Sequence, residues 1–290
     1  MLAHLTPAMR EHILPGLMAG DITTCFGMSE PDCGSDAMMM KTRAEPDGDG
    51  WRLSGSKIWT TNSPYADYCI VFAVTDPDAA TKRRGGISAF LVPTDSAGFE
   101  VQRVIRMWGH GGGNEAVLAF DNVRIEPQQL VGELHRGFAT AMLGVNLGRV
   151  YNSARAVALG RWAIGEAPEY VKIRKTFGKP LAEHQAVTFP LAEAAMQVHA
   201  AHLMSRNVCE LLDGGHPARK ELSMTKTYAI AAGQFALDRA MQAHGAIGFT
   251  NEMHFAQNFL RMRMLNVADG THEILRRTIV KEMLDGDIDL

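Results

Sequence analysis

Short apolar runs separated by turn-forming residues characterise residues 20–132. The stretches YCIVFAVTD, GGISAFLVPT and AVLAFDNVRI are apolar or alternating, and Gly, Asp, Asn and Pro lie between them, as turns require. In the last stretch, alternation predicts one face formed by Val117, Ala119, Val123 and Ile125. The segments between the runs have no helical pattern, which favours an antiparallel sheet or barrel over alternating strands and helices.

Helical periodicity replaces this pattern from residue 133 onwards. The Ala-rich stretch RGFATAMLGVNLGRVYNSARAVALGRWAIGEAPEYVKI contains no Pro before Pro168. Two later stretches have an apolar side at helical spacing, one formed by Leu191, Ala195, Val198, Ala201, Val208 and Leu211 and the other by Leu222, Ala229, Ala232, Ala236, Ala240 and Ala243. Four long helices joined by short loops are typical of a bundle.

The two patterns together predict an α+β protein. We expect a middle antiparallel β-barrel-like domain at residues 20–132, followed by a C-terminal four-helix bundle domain at residues 133–290. Residues 1–19 have the pattern of a short helix interrupted by Pro and Gly. A helix of this kind is expected to pack on another part of the protein.

Composition excludes several classes of function. The 290 residues are 46% hydrophobic and carry a net charge of −3 without a long basic block, so no nucleic-acid partner is expected. The four cysteines lack paired spacing, which indicates a reduced, intracellular protein without a metal site. No apolar run is long enough for an integral membrane segment, and the first residues lack the apolar segment of a signal peptide.

Two stretches of the β region carry candidate binding chemistry. FGMSEPDCGSD, residues 26–36, combines turn formers and hydroxyls. It could present N–H groups to a phosphate or a ring edge, or it could be an ordinary hairpin loop with Asx turns. GSKIWTTN places Trp59 beside Thr60 and Thr61. This arrangement suits a planar heterocycle, although a tryptophan in a strand is often a core residue.

Two stretches of the helical region carry charged candidates. IRKTFGKPLAEHQ, residues 173–185, has three cations close to a Gly, which suits either a diphosphate or a solvated loop. VADGTHEIL places Asp269 just before an apolar run, so this carboxylate could be a helix cap or a catalytic base. Dinucleotide-binding glycine motifs, Walker loops, G-x-S-x-G and H-E-x-x-H are absent from the sequence, which disfavours nicotinamide chemistry and zinc hydrolysis.

In combination and in this order, the four stretches resemble those of the acyl-CoA dehydrogenase family. The resemblance implies a helical N-terminal domain, a middle β domain and a C-terminal four-helix bundle, with FAD as the cofactor and a homo-oligomer that is a dimer of dimers. It assigns residues 1–19 as the remnant of the N-terminal domain, most of which is missing from this sequence. The chain could therefore be a fragment, a mis-started product or one half of a two-gene enzyme.

The resemblance also assigns binding residues. In the β region, it implies cofactor contacts from Phe26, Met28, Ser29, Gly34, Ser35, Trp59, Thr60 and Thr61. In the helical region, it implies contacts to FAD, including that of a neighbouring subunit, from Arg174, Phe177, Gln185, Gln242, Gly245, Thr271 and Glu273. Ala246 stands where the family has a second Gly in the loop after Gln242. Implied substrate-binding residues are Ser35, Asn146, Arg149 and Gly270.

Asp269 falls at the position of the family's usual catalytic Glu. Some relatives carry the base immediately before the Arg that matches Arg149, and here that position is Gly148. The resemblance therefore implies that Asp269 removes the α proton of an acyl-CoA thioester while a hydride leaves for flavin N5, giving a trans-2-enoyl-CoA. Reduced FAD would pass electrons to an electron-transfer flavoprotein.

Two other hypotheses stay open. The VADG pattern is also similar to that of nitroalkane oxidase, a relative with an Asp base. The chain could instead be a truncated or partner subunit that is inactive alone. We expect a bacterial cytoplasmic location, or the mitochondrial matrix if the true N-terminus is missing.

Overall fold

The computed structural model describes residues 2–109 and 114–289. The chain forms two compact units. The sheet unit comprises Met1–Met107 and Gly111–Gly144, and the helical unit comprises Trp108–His110 and Val145–Leu290. The division therefore falls beyond residue 132, where the sequence pattern changes from strands to helices.

A single sheet of eight strands forms the sheet unit among the described residues. The strands are β1 (Thr24–Gly27), β2 (Arg43–Asp47), β3 (Gly50–Thr61), β4 (Tyr68–Val74), β5 (Ile87–Pro93), β6 (Phe99–Ile105), β7 (Glu115–Ile125) and β8 (Leu130–Val131). Their order is β6-β7-β3-β2-β4-β5-β8, with β1 beside β4. The pairs of β1 and β2 with β4 are parallel, and the other pairs are antiparallel, largely as predicted.

One predicted strand face is wrong in part. On β7, Val123 and Ile125 are buried, but Val117 and Ala119 are only half-buried and their neighbours Ala116, Leu118 and Phe120 form the core. The cause is an extra residue on β7 between the pairs Leu53–Val123 and Gly55–Phe120. Such a bulge reverses the alternation of side chains along a strand.

A second bulge on β3 determines the orientation of a candidate site residue. Between the pairs Lys57–Leu118 and Thr60–Ala116, the extra residue is on β3, and Trp59 has a φ of 60°. A left-handed backbone is costly for a bulky residue and often marks a functional position. The bulge leaves the indole 53% exposed, although β3 lies inside the sheet. The interpretation of Trp59 as a core residue is therefore wrong.

Two short helices belong to the sheet unit. They are α1 (Pro7–Ala19) and α2 (Pro77–Thr81). Thr6 and Asp76 cap their first turns by accepting hydrogen bonds from main-chain N–H groups. Ile13 of α1 is fully buried in an apolar cluster that also contains Phe72 of β4. The first residues therefore pack on the sheet, as expected for a short amphipathic helix.

The described residues of the helical unit form three long and two shorter helices. These are α3 (Gly137–Ile173, whose first residues belong to the sheet unit), α4 (Gln185–Asp213), α5 (Arg219–His244), α6 (Phe255–Met264) and α7 (His272–Leu284). A two-stranded hairpin, β9 (Lys175–Thr176) and β10 (Lys179–Pro180), joins α3 to α4. Four long helices were predicted, but the turn that carries Asp269 separates α6 from α7.

Helix α5 lies at the centre of the helical core. All six predicted apolar positions of its stripe are buried, and on α4 the positions at Leu191, Val198, Ala201 and Val208 are buried while Ala195 and Leu211 are half-buried. Gly233 allows backbone contact with α3, because a Cβ there would lie 2.8 Å from the Ala156 carbonyl oxygen. Helices α5 and α3 therefore pack with their backbones in close contact at this point. Within the described part of the chain, no helix is long and apolar enough to cross a membrane.

Candidate active site

Asp269 lies in the turn between α6 and α7 and does not cap α7. Thr271 is the N-cap, because its Oγ1 accepts a hydrogen bond of 3.3 Å from Ile274 N. Asp269 and Gly270 both have a left-handed backbone, with φ of 54° and 94°. The capping interpretation of Asp269 is therefore wrong, and its strained backbone is held by other contacts.

One face of α3 provides two side-chain hydrogen bonds to Asp269. Asn152 Nδ2 donates to Asp269 Oδ2 over 2.7 Å, and Arg149 Nε donates to the main-chain oxygen of Asp269 over 2.8 Å. Arg149 Nη1 also donates to Asn146 Oδ1 over 3.0 Å. These residues are three apart, so they lie on the same side of the helix. The structure thus brings together three residues that the sequence singled out and adds Asn152.

Gly148 provides the space that Asp269 occupies. A Cβ at this position would lie 2.9 Å from Asp269 Oδ2 and 3.3 Å from its Cγ. Gly270 also approaches closely, since a Cβ there would lie 3.0 Å from Arg149 Nη2. The absence of a side chain at Gly148 and the position of the Asp269 carboxylate are therefore two parts of one packing arrangement.

Lys226 of α5 contacts the other side of the turn. It is 0% exposed, and its Nζ donates to the carbonyl oxygens of Ala268 and Gly270 over 2.7 and 2.8 Å. Burial lowers the pKa of this ammonium group to about 8, although the Asp269 carboxylate acts in the opposite direction. Sequence analysis missed Lys226, which lies between Leu222 and Ala229 on the buried stripe of α5.

The surroundings of the turn favour Asp269 as the group that accepts a proton. Burial raises the pKa of Asp269, while the charges of Lys226 and Arg149 and the hydrogen bond from Asn152 oppose that rise. Burial, with the nearby cations, lowers the pKa of His272 to about 4. His272 is therefore neutral at pH 7, and Asp269 is the acid in this group whose environment brings its pKa closer to working pH.

The sheet unit brings two predicted cofactor segments together. Ile58 N donates to Ser29 O over 2.9 Å, which joins the loop after β1 to β3 one residue before Trp59. Lys57 Nζ donates to Met28 O over 3.1 Å and pairs with Glu30 over 2.8 Å, and both side chains are buried. This ion pair, which was not predicted from the sequence, holds the loop against β3.

The adjoining groups suit a planar, polar ring. Trp59 is half exposed, Thr61 is exposed two residues further along β3, and Phe26 of β1 is partly exposed. Thr60 Oγ1 is buried and has no hydrogen-bond partner among the described residues. An aromatic face combined with hydroxyl donors fits the isoalloxazine of a flavin.

The remaining predicted positions lie on exposed surfaces of their own units. In the sheet unit, these are Gly34 and Ser35. In the helical unit, they are Arg174, Phe177, Gln185, Gln242, Gly245 and Glu273. Phe177 is 97% exposed at the tip of the β9–β10 hairpin, and a Cβ at Gly245 would meet nothing within 4 Å. Tyr170 and His244 stack at 4.3 Å, which places the start of this hairpin near the end of α5.

Two family profiles match the chain. They are the acyl-CoA dehydrogenase middle domain, over residues 25–123, and the acyl-CoA dehydrogenase C-terminal domain, over residues 135–284. The second covers more than half of the chain. The chain therefore belongs to the acyl-CoA dehydrogenase family and is an oxidoreductase.

Individual relatives give the same result. An acyl-CoA dehydrogenase of Bacillus subtilis is 36% identical over 94% of this chain and 71% of its own length. A 3-(aryl)acrylate reductase of Clostridium sporogenes is 32% identical over 96% of this chain and 73% of its own length. The structure of butyryl-CoA dehydrogenase from Megasphaera elsdenii has a TM-score of 0.90 and 30% identity, covering 96% of this chain and 72% of that one. Family membership confirms the α+β fold and the flavoprotein class, whose members typically use FAD, form tetramers and act in fatty acid β-oxidation.

Proposed function

We propose that this chain catalyses the α,β-dehydrogenation of an acyl-CoA thioester to a trans-2-enoyl-CoA, with Asp269 as the base that removes the α proton. The observation that carries the proposal is that the Asp269 carboxylate is buried and has one oxygen without a side-chain hydrogen bond among the described residues. Among the described residues, only its Oδ2 accepts a side-chain hydrogen bond, from Asn152. Oδ1 is left to take a proton, and burial raises the pKa of the group toward working pH.

The turn also offers a donor for the substrate. The Asp269 N–H has no main-chain acceptor among the described residues. It could donate to the thioester oxygen, where negative charge develops as the α proton leaves. Arg149, Asn146, Gly270 and Ser35 are the proposed contacts to the rest of the acyl-CoA. In this mechanism, the helical unit holds the reacting carbon and moves its proton.

FAD is the proposed cofactor, and when bound it supplies the acceptor for the hydride that leaves the β carbon. Phe26, Met28, Ser29 and Trp59–Thr61 would hold its ring, supported by the Lys57–Glu30 pair beneath the loop. Gly34 and Ser35 would lie near its diphosphate. The exposed residues Arg174, Phe177, Gln185, Gln242 and Gly245, with Thr271 and Glu273, would contact further parts of FAD. Several of these positions suit a neighbouring subunit's cofactor, which is the reason to propose a dimer of dimers.

An aspartate base requires the substrate's α carbon to lie closer to the turn than a glutamate base would. Aspartate reaches about 1.5 Å less far than glutamate. Here Asp269 lies directly against the helix backbone at Gly148. We therefore expect the substrate's α carbon to lie close to α3 near Gly148. An electron-transfer flavoprotein is the proposed electron acceptor.

A spectroscopic experiment tests the proposal. The purified chain, reconstituted with FAD, would be mixed without oxygen with butyryl-, octanoyl- and palmitoyl-CoA and, separately, with nitroethane. Bleaching of the flavin by an acyl-CoA is expected. Asp269→Asn should abolish the bleaching and retain FAD, whereas Asp213→Asn, an exposed carboxylate at the end of α4, should bleach normally.

Other outcomes would favour the other hypotheses. Bleaching by nitroethane alone would replace the proposal with the nitroalkane-oxidase-like function, which an aspartate base also suits. A chain that binds no FAD under any condition would favour the partner-subunit hypothesis. Normal bleaching by Asp269→Asn would show that another group removes the proton.

A further inference from the structure

We propose that Lys226 is a positioning residue for Asp269, fixing the turn that carries the carboxylate and providing the buried positive charge that keeps it ionised. The role as a base rests on the proposed function above. The contacts and charges that carry the inference belong to the helical unit alone.

The hydrogen bonds hold three successive carbonyl groups. Lys226 Nζ donates hydrogen bonds to the main-chain oxygens of Ala268 and Gly270, and Arg149 Nε donates to the main-chain oxygen of Asp269 between them. The first two bonds come from α5 and the third comes from α3. Because each of these three carbonyls is bound to a cation, the left-handed backbone of Asp269 and Gly270 is over-determined. Movement of either helix contact would turn the carboxylate away from its position beside Asn152.

The charge of Lys226 is the unusual part of this arrangement. Three lysines are fully or almost fully buried: Lys57, Lys220 and Lys226. The first pairs with Glu30 and the second with Asp287. Among the described residues, Lys226 has no carboxylate within ion-pair distance, and Asp269 is the acid whose charge acts on it. A buried ammonium that lacks a carboxylate partner is costly, so its presence at this turn points to a role at Asp269.

Proton transfer moves the negative charge from Asp269 to the substrate, where the nearby cations can stabilise it. Before the step, the positive charges of Lys226 and Arg149 face one carboxylate. When the substrate C–H bond breaks, the proton forms an O–H bond on Asp269 and the electron pair stays on the substrate. The carboxyl becomes neutral, and the two cations then act on the new negative charge of the substrate. The same lysine would thus favour an ionised base before the step and an anionic substrate after it.

Other charged groups around the turn define the pH range of the test. Arg149 faces Asp269 from α3, and Arg263 lies at the end of α6. His272, Glu273 and Arg276 of α7 complete the surroundings, and Arg263, Glu273 and Arg276 all act on His272. His272 ionises only near pH 4. His272 is therefore neutral above pH 5, and Lys226, whose pKa burial lowers to about 8, is the cation of this cluster that loses its charge as the pH rises further.

The decisive measurement is the pKa of Asp269 in the folded chain without substrate. A pH titration by infrared spectroscopy, taken as the difference from the same series on Asp269→Asn, isolates this carboxyl. Lys226→Met should raise its pKa by about 1 to 2 units, because the variant removes a positive charge that acts on this carboxylate. Lys226→Gln keeps N–H donors without the charge and should also raise it. Lys226→Arg keeps the charge and should leave it nearly unchanged.

Lys220→Met is the matched control. Lys220 is also buried, lies on α5, and donates to carbonyl oxygens and a carboxylate at the C-terminal end. Its loss should leave the pKa of Asp269 unchanged while reporting the general effect of removing a buried lysine from this helix. Thermal unfolding of each variant establishes that the chains compared are folded. Should Lys226→Met fail to fold, the comparison of Lys226→Gln with Lys226→Arg decides the question.

An unchanged pKa of Asp269 in folded Lys226→Met or Lys226→Gln would overturn the inference. In the FAD-loaded protein, the acidic limb of the bleaching rate should move to higher pH by the same amount in Lys226→Met. A pKa shift together with normal bleaching by Asp269→Asn would mean that Lys226 acts on this carboxylate but that the proposed base is wrong. The two failures are therefore distinguishable.

Discussion

Adding one methyl group at Gly148 should reduce catalysis without disrupting the helix that carries it. Gly148 lies within α3, and its missing side chain faces the carboxylate of Asp269. In Gly148→Ala, the new Cβ would lie 2.9 Å from Oδ2, whereas ordinary contact begins at 3.4 Å. The carboxylate must therefore move by about 0.5 Å, or leave its hydrogen bond with Asn152.

The size of the effect follows from these distances. A displacement of about 1 Å at a reacting group can cost about 100-fold in rate, so a shift of about half that distance should cost about tenfold. Alanine is also favoured over glycine inside a helix by roughly 0.5–1 kcal/mol. The variant should thus lose activity without losing its helix, which separates a local steric effect from unfolding.

Gly165→Ala is the control for this prediction. Gly165 is on the same helix, it is exposed, and a Cβ there would meet nothing within 4 Å. The assay is the rate of flavin bleaching by a saturating acyl-CoA in the FAD-loaded protein, with urea unfolding of each chain measured in parallel. Gly165→Ala should gain stability, whereas the clash with Asp269 should offset the helix gain in Gly148→Ala. Only Gly148→Ala should be slow. Equal rates in the two variants would refute the placement of Asp269 against α3.

Three further predictions concern other contacts. Lys57→Met leaves buried Glu30 without its ion-pair partner, so the free energy of unfolding should fall by about 3–5 kcal/mol and FAD should bind more weakly. The double variant Lys57→Met/Glu30→Gln should be less destabilised than Lys57→Met alone. An equal loss of stability in the two proteins would contradict the ion-pair argument. Arg174→Ala should weaken FAD binding by about tenfold or more if this guanidinium contacts the diphosphate, with neighbouring Lys175→Ala as the comparison in a flavin fluorescence titration. The pKa of His272 is lowered to about 4 in the folded chain, so its contribution to stability is complete above the pKa of an unfolded histidine, near 6.5. The free energy of unfolding should fall by about 1–2 kcal/mol as the pH drops from 6.5 toward 4. Urea unfolding of His272→Gln should show a smaller loss over this range, and an identical pH dependence in the two proteins would refute the lowered pKa of His272.

The sequence patterns predicted where helices and strands lie better than they predicted which side chains of the strands are buried. All six positions that helical spacing assigned to the stripe of α5 are buried, because a straight helix keeps its period over many residues. Alternation failed on β7, because one extra residue near Asn122 reverses every side chain beyond it. A bulge depends on how two strands pair, and neither strand's sequence contains that information. The exposure of Trp59 was hidden for the same reason.

The candidate site divides in a similar way. The resemblance identified Asp269, Arg149 and Asn146, which the structure joins through hydrogen bonds. It did not identify Lys226 or Lys57, because a lysine within an apolar pattern has no visible partner in the sequence. Their partners lie many residues away along the chain, at Gly270 and Glu30. Buried lysines inside apolar stripes are therefore a useful signal of polar sites that only the fold completes.

The two bulges between β3 and β7 have opposite signs and cancel. The register at Leu53–Val123 is the same as that at Thr60–Ala116, and only the short stretch between the bulges is displaced by one residue. Trp59 can therefore turn outward without changing the alignment at either end of the sheet. Deleting either extra residue alone would shift one whole half of the ladder and bring core side chains to the surface, so the two irregularities can be lost or kept only as a pair.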